Sequence, residues 1–274
     1  MSMTLSPSLR VLSHALLLLV CLSVALPMLI VLGTSFKPPA EVFEPLPWPR
    51  HPVLDNFRTI LTETAFPRYF MNTVLSALPR IAGQVAIGVL AAYAFARWRF
   101  RGRDALFALV LAAMMIPHQL TMIPNYVLIA RLDWFDTWAA LVLPNLAAPF
   151  GVFLLRQHFL SFPRELFDAA EIDGAGPWRT LWIVVLPNLG PALAALTIVQ
   201  FIETWNEYFW PLLVTGSDRS RTLQVGLRHF LEEDYTNYGA LMAGVTLASV
   251  PALLVFFVLQ RRVMSAFLES GLKG

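Results

Sequence analysis

Five polar side chains sit inside long apolar runs: Arg80 and Gln84 in residues 71–96, and Glu203, Asn206 and Glu207 in residues 183–213. A charge at the centre of a membrane helix costs about 2.5–3.5 kcal/mol on insertion scales, so each such group calls for a compensating role. Gln84 lies four residues after Arg80, and Glu207 four after Glu203, so on a continuous helix each pair shares a face. Arg80 lies about 13 Å from the start of its run, at the helical rise per residue. Such a set can contact a polar solute, pair internally as Arg80 with Glu203, or meet a second chain, and all three readings stay open. His118 and Gln119 fall in another run, and Asn145 and Asn188 lie beside prolines.

Chemistry of other kinds finds little support. The sequence lacks G-x-x-x-x-G-K-S/T, H-E-x-x-H, G-x-S-x-G and C-x-x-C patterns. His14, His51, His118, His158 and His229 are scattered without metal-ligand spacing. No metal site and no catalytic set is expected, and ATP, if used, must be hydrolysed elsewhere. The single cysteine, Cys21, makes no disulfide framework and reads as a small apolar residue in a helix.

The elements that carry these residues follow from composition. Of 274 residues, 57% are hydrophobic and 14% charged, against about 25% charged in soluble domains. The apolar residues form blocks long enough to cross a bilayer, which takes about 20 residues. Six spans are expected: 11–34, 71–96, 105–125, 138–158, 183–213 and 238–260. The runs are continuous, not alternating, so the fold class is all-α, a polytopic membrane protein, and not a barrel. Residues 11–33 are longer than a signal-peptide core and read as a retained first span.

Charge sets the orientation. Arg97, Arg99, Arg101 and Arg103 crowd one short connection, and Arg156, Arg164 and Arg179 flank another segment. Placing these in the cytoplasm, with Arg10, Arg261, Arg262 and Lys273, puts both termini there. In the first outer loop, 35–70, four basic residues are diluted by four acidic ones. The net charge of +2 is small, and no nucleic-acid partner is expected. Many of the twenty prolines lie in or beside spans, where they produce kinks.

The segment 159–187, FLSFPRELFDAAEIDGAGPWRTLWIVVLP, lies between two spans yet is organised like a folded element. Ser161 can cap a short helix over 163–172, with Pro163 in its first turn. Glu165 and Asp168 favour the positive helix start. Asp173 and Gly174 end it, glycine taking the left-handed conformation freely. A second helix starts near Pro177 and runs into the fifth span. Ala169 and Ala170 leave a shallow exposed patch, flanked by the apolar anchors Leu166, Phe167 and Ile172. A docking surface and a plain surface helix both fit.

This segment resembles the EAA motif of ABC importer permeases: Asp168, Ala169, Ala170, Gly174, Val184, Leu186 and Pro187 match it in spacing. Asp168 stands for the usual Glu and Val184 for the usual Ile. WNEYFWPLL at 205–213, AAYAFARWRFRGRD at 91–104 and QRRVMSAFLESGLKG at the C-terminus are similar to segments of carbohydrate-importer permeases. The likeness covers most of residues 70–274 and points to the second permease of the maltose-type group, which includes importers of disaccharides and of glycerol 3-phosphate.

The resemblance implies a type I ABC importer fold in the cytoplasmic (inner) membrane, with a coupling helix over 163–174. Glu165, Leu166, Asp168, Ala169, Ala170, Asp173 and Gly174 would dock into an ATP-hydrolysing subunit. It further implies a second permease, two ATP-binding subunits and an extracytoplasmic solute-binding protein. ATP and Mg would be used by the partner ATPase, and this chain would bind no cofactor. A stand-alone secondary transporter or channel is the competing reading, although no internal repeat is visible. A membrane-embedded enzyme would need a compact reactive set, which the sequence does not offer.

Overall fold

The structure is a computed structural model that describes residues 7–233 and 237–271. Lys273, and the side chains of Arg164, Arg261 and Arg262, lie outside what is described. The described residues form helices joined by turns, with no strand among them.

In chain order the helices are α1 (Pro7–Ser35), α2 (Asp55–Thr62), α3 (Phe66–Arg97), α4 (Arg103–Met114) and α5 (His118–Arg131). Then come α6 (Trp138–Val142, extended by a 3-10 turn to Asn145), α7 (Pro149–Leu160), α8 (Arg164–Ile172) and α9 (Pro177–Thr180). Residues Leu181–Val185 continue α9 with π-type turns into α10 (Leu186–Asn188). The last are α11 (Gly190–Trp205), α12 (Phe209–Val214), α13 (Leu223–Glu233) and α14 (Tyr238–Gly271).

Among the described residues, three stretches are long and apolar enough to cross a membrane unbroken: Ser8–Ser35, Phe66–Arg97 and Tyr238–Gln260. Three further pairs pass only together. They bend by 98° between α4 and α5, 43° between α6 and α7, and 77° between α10 and α11. The expected spans 105–125, 138–158 and 183–213, whose prolines predict kinks, therefore each contain a sharp bend between two helices. Proline is the physical cause at each break: Pro117, Pro149 and Pro191 stand at the start of the second half. A proline there loses no helical N–H bond, whereas a helix running through it would. Pro27, Pro79, Pro124 and Pro251 are instead carried inside helices.

The chain divides into two compact units, Met1–Pro67 with Gly226–Ser249, and Arg68–Val225 with Val250–Gly274. In the first, the 35–67 segment, part of the expected first outer loop, is tightly organised. Buried Asn56 donates from Nδ2 to the carbonyls of Ser35 at 3.0 Å and Lys37 at 2.8 Å, satisfying groups past the end of α1. The Glu41 carboxylate accepts from the Arg50 N–H at 2.8 Å and meets His51 Nδ1 at 2.9 Å.

Two apolar clusters stand out among the described residues of the second unit. Val89 and Tyr93 of α3, Leu155 and Phe159 of α7, and Leu181, Val185 and Leu196 beyond them form one. Met122 and Ile129 of α5, Ala140 and Leu141 of α6, and Trp210 and Val214 of α12 form the other. Trp210 Nε1 donates to the Ala140 carbonyl at 2.9 Å, so its buried N–H is satisfied. By contrast, α1 leaves its leucines exposed almost throughout, as suits a helix facing lipid or another chain.

Candidate functional site

The segment after α7 folds as a separate short helix, α8. Pro163 takes the N-cap position and has no side-chain cap bond. Ser161 turns its hydroxyl back to the His158 carbonyl at 2.7 Å, so it closes α7 and does not cap α8 as expected. Glu165 lies in the first turn. Gly174, at φ +69°, bonds its N–H to the Glu171 carbonyl at 3.0 Å and ends the helix, with Asp173 at the C-cap. Only the left-handed conformation makes that turn, which is why glycine stands there.

One face of α8 is turned into the chain. Phe167 packs against the cluster of Val89, Tyr93 and Phe159. Ala170, three residues on, is only 6% exposed. The expectation that Ala170 is an exposed docking surface is therefore corrected: i and i+3 share a face, and this face is covered by the chain itself. Leu166, Asp168, Ala169 and Asp173 are exposed, and Ile172 is 86% exposed. The outward face thus carries two bare aliphatic side chains among acids. Arg97, at the end of α3, holds the inward face. Its guanidinium lies 5.4 Å from the Phe167 ring centre and 3.3 Å from Glu171 Oε2. The sequence showed Arg97 as a basic residue within the 91–104 segment, and nothing local marked its partner 74 residues away.

Within the apolar runs, Arg80 pairs with Glu207 and not with Glu203. The reason is a break within the expected 183–213 span, between α11 and α12. Pro211 has no N–H for the Glu207 carbonyl, and its ring would collide with that carbonyl in a helix. The chain therefore leaves α11 at Trp205, and α12 starts at Phe209. Glu207 lies in the break and turns to α3, while Glu203, still on α11, is exposed. The two acids do not share a face. His118, the first residue of α5, brings Nε2 to 3.4 Å from Glu207 Oε1. The bend after α4 puts this histidine at a helix start.

Gln84 is buried and donates from Nε2 to the Asn145 carbonyl at 2.7 Å. It lies one turn beyond Arg80 on a polar stripe of α3 that also includes Thr73 and Ser76. Thr73 Oγ1 accepts the Leu223 N–H at 2.7 Å. The stripe's helical spacing could have been read from the sequence. Asn206 is exposed, donating to the Ile202 carbonyl at 2.9 Å and accepting from Gln224 Nε2 at 3.4 Å.

A further cluster had no signal in the sequence reading. Asp136, at φ +61°, accepts from the backbone N–H groups of Gly216 at 2.8 Å and Ser217 at 3.0 Å. The hydroxyls of Ser217 and Ser220 donate to it as well. Burial pushes its carboxyl up, but these bonds outweigh burial and hold it well below the usual carboxylate range. One carboxylate thus ties the connection before α6 to the loop after α12.

Comparison with known proteins adds the lineage. Residues 84–267 match the family described as "Binding-protein-dependent transport system inner membrane component". The arabinooligosaccharides transport system permease protein of Halalkalibacterium halodurans is 35% identical, covering 90% of this chain and 91% of the relative. The sn-glycerol-3-phosphate transport system permease protein of Pectobacterium atrosepticum is 32% identical, covering 96% and 97%. The diacetylchitobiose uptake system permease protein of Streptomyces coelicolor is 33% identical, covering 92% and 85%. The fold is that of a chain in the crystal structure of a bacterial ABC transporter involved in the import of the acidic polysaccharide alginate. The TM-score is 0.84 at 23% identity, over 95% of this chain and 99% of that one. With a short helix set between bent helix pairs and the family's pattern over two thirds of its length, this chain belongs to the inner membrane component family of binding-protein-dependent transport systems.

Proposed function

We propose that this chain forms half of the translocation path of an ATP-driven importer for a sugar or sugar-like solute. It works with a second permease, two ATP-binding subunits that use ATP and Mg, and an extracytoplasmic solute-binding protein. Both termini are cytoplasmic, and each bent pair of helices serves as one of six spans. The outward face of α8, with Leu166 and Ile172 bare beside Asp168, Ala169 and Asp173, carries the docking part of this reading. A soluble surface helix gains nothing by leaving such anchors uncovered, whereas a groove on an ATPase subunit would bury them.

Of the polar residues in the apolar runs, exposed Glu203 and Asn206 are proposed to line the path, and buried Gln84 with half-buried Arg80 and Glu207 to hold its helices. The pairing of Arg80 favours an uncharged oligosaccharide over glycerol 3-phosphate, because a guanidinium held by a carboxylate offers little to a phosphate. The chain's relatives are named for solutes of both kinds.

Reconstitution tests the reading. The chain, purified with its partner subunits into proteoliposomes, takes up a labelled oligosaccharide delivered by the binding protein only when ATP is supplied. Uptake by this chain alone would establish a stand-alone transporter instead. An impermeant thiol label applied outside reaches cysteine at Thr59 or Ser217, and not at Gly102 or Gly174. Outside labelling at Gly102 would reverse the orientation and remove α8 from the ATPase side.

A further inference from the structure

Behind the Arg80–Glu207 pair lies a cavity of about 20 Å³, lined by Arg80, Thr204, Trp205, Glu207, Trp210 and Thr222 among others. Three of its lining groups are buried polar atoms without a hydrogen-bond partner among the described residues: Arg80 Nε, Thr204 Oγ1 and Thr222 Oγ1. Each orphaned buried group costs about 1–3 kcal/mol. That three residues lining one cavity each carry such an atom is a pattern that calls for a common ligand.

Size and chemistry select it. A space of about 10–15 Å³ admits one water molecule, and a buried water needs two to four polar partners. A metal cation is excluded by the adjacent guanidinium, and an anion by the Glu207 carboxylate beside it. A neutral solute fragment is too large. Water can accept from the Nε–H of Arg80 and donate one proton to each threonine hydroxyl oxygen, which satisfies all three atoms.

We propose that one ordered water molecule occupies this cavity and bonds Arg80 Nε, Thr204 and Thr222, so that Arg80 is a hydrated strut tying α3 to the end of α11 and to the segment before α13. The arginine then holds three elements: the 206–208 break through Glu207, α11 through Thr204, and the start of α13 through Thr222. The inference does not depend on which solute is carried.

The sign of a substitution tests it, measured as the thermal midpoint of the assembled importer in detergent. Thr222→Val keeps shape and removes the hydroxyl. If the hydroxyl bonds a water, its loss lowers the midpoint, by about 2–4 °C for a loss near 1 kcal/mol. If the hydroxyl is an orphan in a dry void, the same change leaves the midpoint unchanged or raises it, and the proposal falls. Thr222→Ser keeps the hydroxyl and should shift the midpoint less than Thr222→Val; an equal loss would assign the effect to packing and overturn the water. Thr204→Val lowers the midpoint as well, and the double variant by less than the two losses together, because both act on one molecule. Full additivity would rule out a shared water. A cryo-EM map of the assembled complex provides an independent check: density for a single water within hydrogen-bond distance of the three atoms is expected, and a collapsed cavity refutes it.

Discussion

Two of the three arginines of helix α3, Arg80 and Arg97, are each paired with a glutamate far along the chain, in opposite surroundings. Arg80 and Glu207 are each 12% exposed, in the middle of the apolar runs. Arg97 and Glu171 are 39% and 76% exposed, at the end of the helix. The contact type is the same, but the energetics are not. In water an ion pair is worth about 0–1 kcal/mol. In a buried setting the pair itself adds little net stability, yet breaking it leaves an uncompensated charge that costs about 3–5 kcal/mol. The inner pair is therefore a commitment of the fold, whereas the outer one is an adjustable link to α8.

The sharpest way to break this comparison is at the inner pair. Arg80→Gln is expected to cost about 3–5 kcal/mol and to cut the yield of assembled complex severely. Arg80→Gln with Glu207→Gln should recover most of that yield, while Arg80→Gln with Glu203→Gln should not. Rescue through Glu203 would mean that the pairing is misassigned.

Asp136 lies between the two extremes and is expected to show the next largest effect. Asp136→Asn removes a charged acceptor from several donors, at about 1.5–3 kcal/mol. The pH dependence has a definite sign. The folded carboxyl titrates below its ordinary value, so the unfolded chain takes up the proton first as pH falls. The contribution is full above the ordinary carboxylate range and is lost as pH drops through the folded value. Thermal midpoints of wild type and Asp136→Asn should therefore differ by a constant amount from neutral pH down to about pH 5 and converge only in stronger acid.

At the outer end, geometry should matter more than charge. Gly174→Val forces a branched residue into the left-handed region, at about 1–2 kcal/mol. The space around Gly174 is open, so the loss reports backbone strain and not collision. Solute-stimulated ATP hydrolysis should fall while the protein stays in the membrane. Ala169→Trp should abolish stimulation by blocking docking, whereas Ala170→Trp should lower the membrane level of the chain itself. Equal membrane levels for these two variants would undo the assignment of the two faces of α8. The smallest effect is expected for Arg97→Gln, under about 1 kcal/mol in stability and weaker in high salt. A loss as large as that of Arg80→Gln would collapse the distinction between the two pairs.

The legibility of the site follows the same division. The short helix was readable because its signals are local: a proline before it, an acid in its first turn, and a glycine in the left-handed conformation after it. Which of Ala169 and Ala170 faces outward was not readable, since that depends on Phe167 finding the α3–α7 cluster. The partner of Arg80 was not readable for a similar reason, pairing with Glu203 being one of three open readings. Glu203 is the closer match on an unbroken helix, and only the break before Pro211 turns Glu207 toward α3.

Composition and pattern by themselves determined an all-α membrane chain, the approximate apolar runs, the α8 boundaries and the family, because apolar length, proline and glycine act over a few residues. Tertiary structure alone decided which runs bend and by how much, which acid neutralises Arg80, that Gln84 meets the Asn145 carbonyl, and that Asp136 ties two distant loops. Those outcomes depend on groups 60–130 residues apart meeting where water is scarce. No local pattern encodes the partner, because desolvation penalises the unpaired state of each group without specifying which other group relieves it.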